Sequence, residues 1–152
     1  MKISIITVTY NSGATLEQTI RSVASQSYNH IEYIVVDGGS TDNTPELIKK
    51  YGDVITASVS EKDQGLYHAL NKGIAMTTGE VIGMLHSDDF YINNEVVQKY
   101  ADTFIKTGAD AVYSDLYYVN AHNTDKVIRK WKSGTYREGS FKSGWMPPHP
   151  TF

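Results

Sequence analysis

The chain contains no cysteine, which excludes disulfides and thiolate metal sites outright. A reducing cytosol accounts for that absence, and a cytoplasmic location is the expectation, possible membrane contact being confined to its inner face. No apolar stretch approaches the roughly 18 residues of a spanning helix. Met1-Lys2 passes directly into Ile3-Ser4-Ile5-Ile6 without a signal-peptide pattern. Positive charge is not in excess either. Fourteen Lys and Arg against 17 Asp and Glu give a net charge of −3 and a pI near 5.9, which argues against a nucleic-acid partner. Several motifs are missing as well. No G-x-G-x-x-G follows the first strand, there is no G-x-x-x-x-G-K-[ST] loop, and the five histidines form neither an i, i+4 pair nor H-E-x-x-H.

What is present is an ordinary globular composition, with 152 residues, 40% hydrophobic and 20% charged. That length suits one domain with a proper core, and no repeat, low-complexity tract or linker interrupts it. Ile3 to Tyr10 is β-branched and almost continuously apolar, as a strand buried on both faces should be. Leu16, Ile20, Val23 and Ala24 repeat at helical spacing, with Ser12 or Thr15 available as caps. A second buried strand spans Ile31 to Val36, a short helix runs from Thr44 or Pro45 to Tyr51, and Val54 to Val59 is a weaker third strand. Leu66, Ala69, Leu70, Gly73 and Ile74 mark an amphipathic helix. Val81 to Leu85 is the fourth strand, and Val96, Tyr100 and Phe104 lie on another helix face. Ala109 to Val119 is expected as a fifth strand, and Val127 to Trp131 as a sixth, antiparallel one near the sheet's edge.

This β-α rhythm predicts an α/β, Rossmann-like, mostly parallel sheet with helices on both faces. Ligands of such sheets bind beyond the carboxyl ends of the strands. Here those ends read Thr7-Val8-Thr9-Tyr10-Asn11, Asp37-Gly38-Gly39, Ser60-Glu61-Lys62-Asp63 and His86-Ser87-Asp88-Asp89. Two adjacent carboxylates at the exit of a buried strand repel each other and resist desolvation. A divalent cation carrying a phosphate group resolves that conflict. Glycines after the second strand let backbone approach a ligand closely, and Asp37 can accept hydrogen bonds from a base or ribose. Each segment alone also reads as a turn with a helix cap.

Together the segments resemble family 2 glycosyltransferases of the GT-A fold. The matching stretches are Ile5 to Asn11, Val35 to Asp42, Asp63-Gln64-Gly65 continuing to Asn71-Lys72-Gly73, and Gly79 to Asp89. The resemblance implies a sugar transferred from a nucleotide-diphosphate sugar, a UDP-sugar being favoured, to a saccharide or lipid-linked acceptor hydroxyl with inversion. A lipid-linked acceptor would be met by peripheral membrane association. The resemblance also implies that Thr7, Tyr10, Asn11, Asp37 and Gly38 line the nucleotide pocket, with Asp63 and Asn71 near the donor. Asp88-Asp89 is similar to the family's D-x-D motif, so Asp88 would face the ribose and Asp89 would hold Mn²⁺ or Mg²⁺. His149, in Pro147-Pro148-His149-Pro150, is a second candidate for metal or phosphate. Both aspartates act on the leaving-group side, which leaves the general base to be found.

Two departures stand out. His86 and His68 occupy positions where close relatives often carry Asn and Asp. In addition, no Asp or Glu follows Glu138, whereas the family's base usually lies in an acidic pair beyond a segment like Pro147 to Phe152. A chain truncated before its acceptor part is therefore expected, and donor binding without turnover is the alternative function. A nucleotidyltransferase is a more distant alternative, because Asn11-Ser12-Gly13 lacks the basic residues of its phosphate loop.

Overall fold

The computed structural model describes residues 1–147 and 151–152. Four parallel strands form its centre: β1 (Ile3–Thr9), β2 (Ile31–Asp37), β3 (Ala57–Ser60) and β4 (Val81–Met84), in the order β3-β2-β1-β4. β1 and β2 run in register from Ile3 opposite Ile31 to Thr9 opposite Asp37. The reversal of order between β1 and β4 creates a switch point at their carboxyl ends, where α/β sheets bind ligands.

Strand alternation sends side chains to two cores. Ile3, Ile5, Tyr33 and Val35 pack under α1 (Leu16–Ala24), α2 (Thr44–Lys50) and α4 (Val96–Thr107), through Leu16, Ile20, Leu47, Val97, Tyr100 and Phe104. Ile6, Val8, Ile34 and Val36 face α3 (Leu66–Met76) through Ala69 and Leu70. Burial on both faces explains the uninterrupted apolar runs, and each such side chain contributes roughly 1.5–3 kcal/mol. Thr15 is the N-cap of α1 without a side-chain capping bond, while the Ser12 carbonyl accepts from the Thr15 and Leu16 amides. Gly83 in β4 has a packing reason. A Cβ there would lie 2.2 Å from the ring of Phe152, which is itself buried and stacks on Tyr100 with centroids 4.1 Å apart.

At the amino end of the sheet, Glu32 is almost completely buried. It accepts hydrogen bonds from Lys2 Nζ (2.7 Å), Ser4 Oγ, and both the amide (2.7 Å) and hydroxyl (2.6 Å) of Thr78. Burial pushes its carboxyl upward, but the bonds from Lys2, Ser4 and Thr78 together outweigh that and hold it at about 2.

The expected fifth and sixth strands are corrected by the structure. β5 (Leu116–Asn120) and β6 (Asn123–Trp131) pair antiparallel in a separate two-stranded sheet, not at the edge of the parallel one. Residues 109–115 of the expected fifth strand lie outside any named strand. The hairpin's base is tied to the following segment, where Asp115 accepts from the Ser133 amide (2.9 Å) and hydroxyl (2.8 Å). Tyr113, Tyr136, Phe141 and Trp145 form a small ring cluster beside it.

Candidate functional site

A cleft of about 540 Å³ opens at the carboxyl ends of the parallel strands. The β1 exit contributes Val8, Thr9, Tyr10 and Ser12, the β2 exit Gly38, the segment before α3 Lys62 and Asp63, and the β4 exit His86, Ser87 and Asp88. Leu66 and Ala69 of α3 supply an apolar wall.

Tyr10, Gly38, Asp63 and Asp88, widely separated in sequence, thus share one cleft. Tyr10 sits one residue past β1 and is 64% exposed, so its ring is available to a ligand. Gly38 lets Asp63 come close: a Cβ there would meet the Asp63 carboxylate at 2.6 Å and displace it, and would touch the Tyr10 ring at 3.4 Å. Asp63 Oδ1 accepts from the Gly65 amide at 2.8 Å, which fixes the carboxylate at the entrance to α3. The β4 exit is braced against α1 and its approach. Ser12 Oγ and Ser87 Oγ are 2.8 Å apart, and Thr19 donates to the Asp89 carbonyl at 2.8 Å.

Other expected residues stand elsewhere. Thr7 is fully buried and accepts from the Tyr33 hydroxyl at 3.0 Å, so the structure places it in the core below the cleft. Thr9, two residues on, lines the cleft instead, and its buried hydroxyl lacks a hydrogen-bond partner among the described residues. Asp37 is also fully buried. Its carboxylate accepts from the Ser40 amide (3.2 Å), the Ser40 hydroxyl and the Ser60 hydroxyl (2.6 Å), so it shapes the β2 exit from beneath. Asn11 has a positive φ of 50°, which asparagine tolerates. Its amide donates to Ser40 Oγ (2.7 Å), and its side-chain oxygen accepts from the Thr41 amide (2.9 Å). Asn11 therefore joins two loops at the rim and is not among the cleft's lining residues. Asn71 is exposed on α3, also outside the lining.

Asp88 and Asp89 are both exposed, and Asp88 lines the cleft. Among the described residues, no three His, Asp or Glu side chains are placed to hold a metal ion; His149 lies outside the described residues. The aspartates thus offer at most two carboxylates, Asp88 in the cleft lining and Asp89 next to it in the chain but outside that lining. A hard cation such as Mg²⁺ is held by that number when phosphates and water complete its shell. The donor set fits a cation that arrives with a diphosphate.

Sequence reasoning did not assign Thr9, Ser12, Lys62, Leu66 or Ser87 to the site. Thr9 and Ser12 flank the expected Tyr10 and Asn11, and strand parity alone could not say how deep each side chain sits. The Ser12–Ser87 contact joins residues far apart in sequence and has no local signal.

The family model described as glycosyl transferase family 2 matches residues 4–150. A glycosyltransferase of Nostoc sp. is 32% identical over 131 residues, covering 84% of this chain and 40% of that protein. The structure of S. aureus TarS 1–349 in complex with UDP-GlcNAc superimposes with a TM-score of 0.73 at 28% identity, covering 79% of this chain and 36% of TarS 1–349. Glucosyl-3-phosphoglycerate synthase from Mycobacterium tuberculosis, solved with Mn²⁺, UDP and glucosyl-3-phosphoglycerate, gives a TM-score of 0.62 at 26% identity, over 74% of this chain and 43% of that one. The chain spans about two fifths of the length of these relatives.

Proposed function

The chain belongs to glycosyl transferase family 2, and from that premise we propose that its cleft binds a nucleotide-diphosphate sugar whose sugar is passed, with inversion, to an acceptor hydroxyl. The observation that carries this reading is the convergence of Tyr10, Gly38, Asp63 and Asp88 on one cleft at the switch point of the sheet. A UDP-sugar is the favoured donor, supported by the complexes of TarS with UDP-GlcNAc and of the mycobacterial synthase with UDP.

The exposed Tyr10 ring offers the base a stacking face. Asp63, pinned beside Gly38, stands ready to accept from the base or ribose. Asp88 faces the ribose, and Asp89 would hold Mn²⁺ or Mg²⁺. Such an ion supplies Lewis-acid stabilisation of the charge that develops on the departing diphosphate. Inversion requires the acceptor to attack from the face opposite that leaving group, with a base to take its proton.

A second reading, donor binding without transfer, rests on the cleft's acidic inventory. Among its described lining residues the only carboxylates are Asp63 and Asp88, both assigned to the donor. Saccharide and lipid-linked hydroxyls are the acceptors proposed for the first reading.

Calorimetry with UDP, GDP and dTDP, with and without Mn²⁺, tests the assignment. UDP should bind in a Mn²⁺-dependent way, and Asp89→Ala should weaken it ten- to a hundredfold, as expected for an interaction with a charged group worth roughly 1.5–3 kcal/mol. Absence of nucleotide binding would overturn the proposal. Transfer of labelled sugar by the same chain would decide against the second reading.

A further inference from the structure

We propose that the β5–β6 hairpin is a docking surface for an anionic lipid membrane. Charge is unequally divided along the chain. Residues 1–112 carry eight Lys and Arg against fourteen Asp and Glu, whereas residues 113–147 carry six against three. The acidic part holds the cleft, and the basic part holds the hairpin.

The hairpin is also short of cover. From Asp125 to Lys130, every residue of β6 is exposed, so both faces of the ribbon meet solvent. A two-stranded ribbon in that state is marginal unless something covers it. Each face joins cations to rings. Arg129 lies over Tyr118 and Trp131, at 5.6 and 5.9 Å from their centroids, and Lys130 lies 5.0 Å from that of Tyr117. Ile128, which precedes the two cations in β6, is 64% exposed.

Cations over aromatic rings beside exposed aliphatics are the mixture that the lipid headgroup boundary accommodates. Contact along the edge of β6 that faces away from β5 brings side chains of both faces to the surface, so that the rings and Ile128 enter the acyl boundary while Arg129 and Lys130 remain level with the phosphates. A nucleic-acid backbone would use the cations but leave Ile128 in water. A protein interface of ordinary size takes about 20–30 residues a side, more than the fourteen residues of both strands together, whereas a lipid surface demands no matching shape. This inference is independent of what the cleft binds.

Co-sedimentation of the 152-residue chain with phosphatidylcholine vesicles, and with phosphatidylcholine–phosphatidylglycerol vesicles, tests it. Binding should appear on the anionic vesicles and weaken with salt. It should fall about fivefold for each of Arg129→Gln and Lys130→Gln, from the roughly 1 kcal/mol that a cation contributes at such a surface. Ile128→Asp should weaken it further without altering the melting temperature by more than a few degrees. Equal binding to both vesicle types, no binding, or variants that bind like the parent would each overturn the proposal. So would concentration-dependent self-association or duplex DNA binding that the same three substitutions abolish, either of which would reassign the hairpin to that partner.

Discussion

The two ends of the parallel sheet treat their carboxylates in opposite ways. At the amino end, Glu32 is buried and its oxygens accept from Lys2, Ser4 and Thr78. At the carboxyl end, Asp88 and Asp89 are exposed and Asp63 lines a cleft, and among the described residues no three His, Asp or Glu side chains are placed to hold a metal ion. The same side-chain chemistry is closed at one end and open at the other. The closed end ties the start of β1 to β2 and to the turn before β4. At the open end, Asp88 is exposed in the cleft lining, where a cationic or hydrogen-bonding ligand can reach its carboxylate. Asp37 shows that position alone does not decide the matter. It stands at the carboxyl end, yet Ser40 and Ser60 saturate it much as Glu32 is saturated.

Substitution should separate the two ends. Glu32→Ala removes the acceptor of a buried network and should cost about 3 kcal/mol in urea unfolding, because buried donors lose their partner. UDP affinity should be unchanged. The same network sets the acid response. With its folded carboxyl held at about 2, below the ordinary value of roughly 4.3, Glu32 contributes stability above the ordinary value that is lost as pH falls through the folded one. Unfolding midpoints should therefore drop between about pH 4.5 and pH 2, and less steeply in Glu32→Gln. Asp88→Asn should do the reverse of Glu32→Ala: UDP binding about tenfold weaker, and stability within about 0.5 kcal/mol of the parent. The smallest effect belongs to Thr9→Val. Replacing a buried hydroxyl that lacks a partner by an isosteric methyl should leave stability equal or raise it by up to about 1 kcal/mol, as thermal melts would show.

Local pattern carried the sheet. The β-branched runs of β1 and β2 stand where expected because strands covered on both faces must be apolar throughout. It did not carry the partnership of β5 and β6. Their residue types are compatible with an edge strand or a free ribbon, and only tertiary contact distinguishes the two. The site followed the same rule. Tyr10, Gly38, Asp63 and Asp88 were legible because each follows a strand or opens a helix. The family resemblance implies Thr7 for the pocket, and strand parity puts it on the same face as Thr9, but neither reports how deep a side chain sits. What separates them is the Tyr33 hydroxyl, which reaches Thr7 across the sheet. Asp37 was legible as an acceptor, and Ser40 reaches it over a local span of three residues, but Ser60 comes from the end of the neighbouring strand β3, which no short-range pattern brings to it.

The contact between Ser12 and Ser87 has one more property. Either oxygen can be the donor, so the bond has two directions and reversing it requires only hydroxyl rotation. In one direction Ser87 keeps its hydrogen for an oxygen arriving in the cleft; in the other it presents a lone pair to an arriving N–H or O–H. One wall can thus answer ligands of opposite polarity without rearranging its backbone. The pair is a small adapter between the loops that follow β1 and β4.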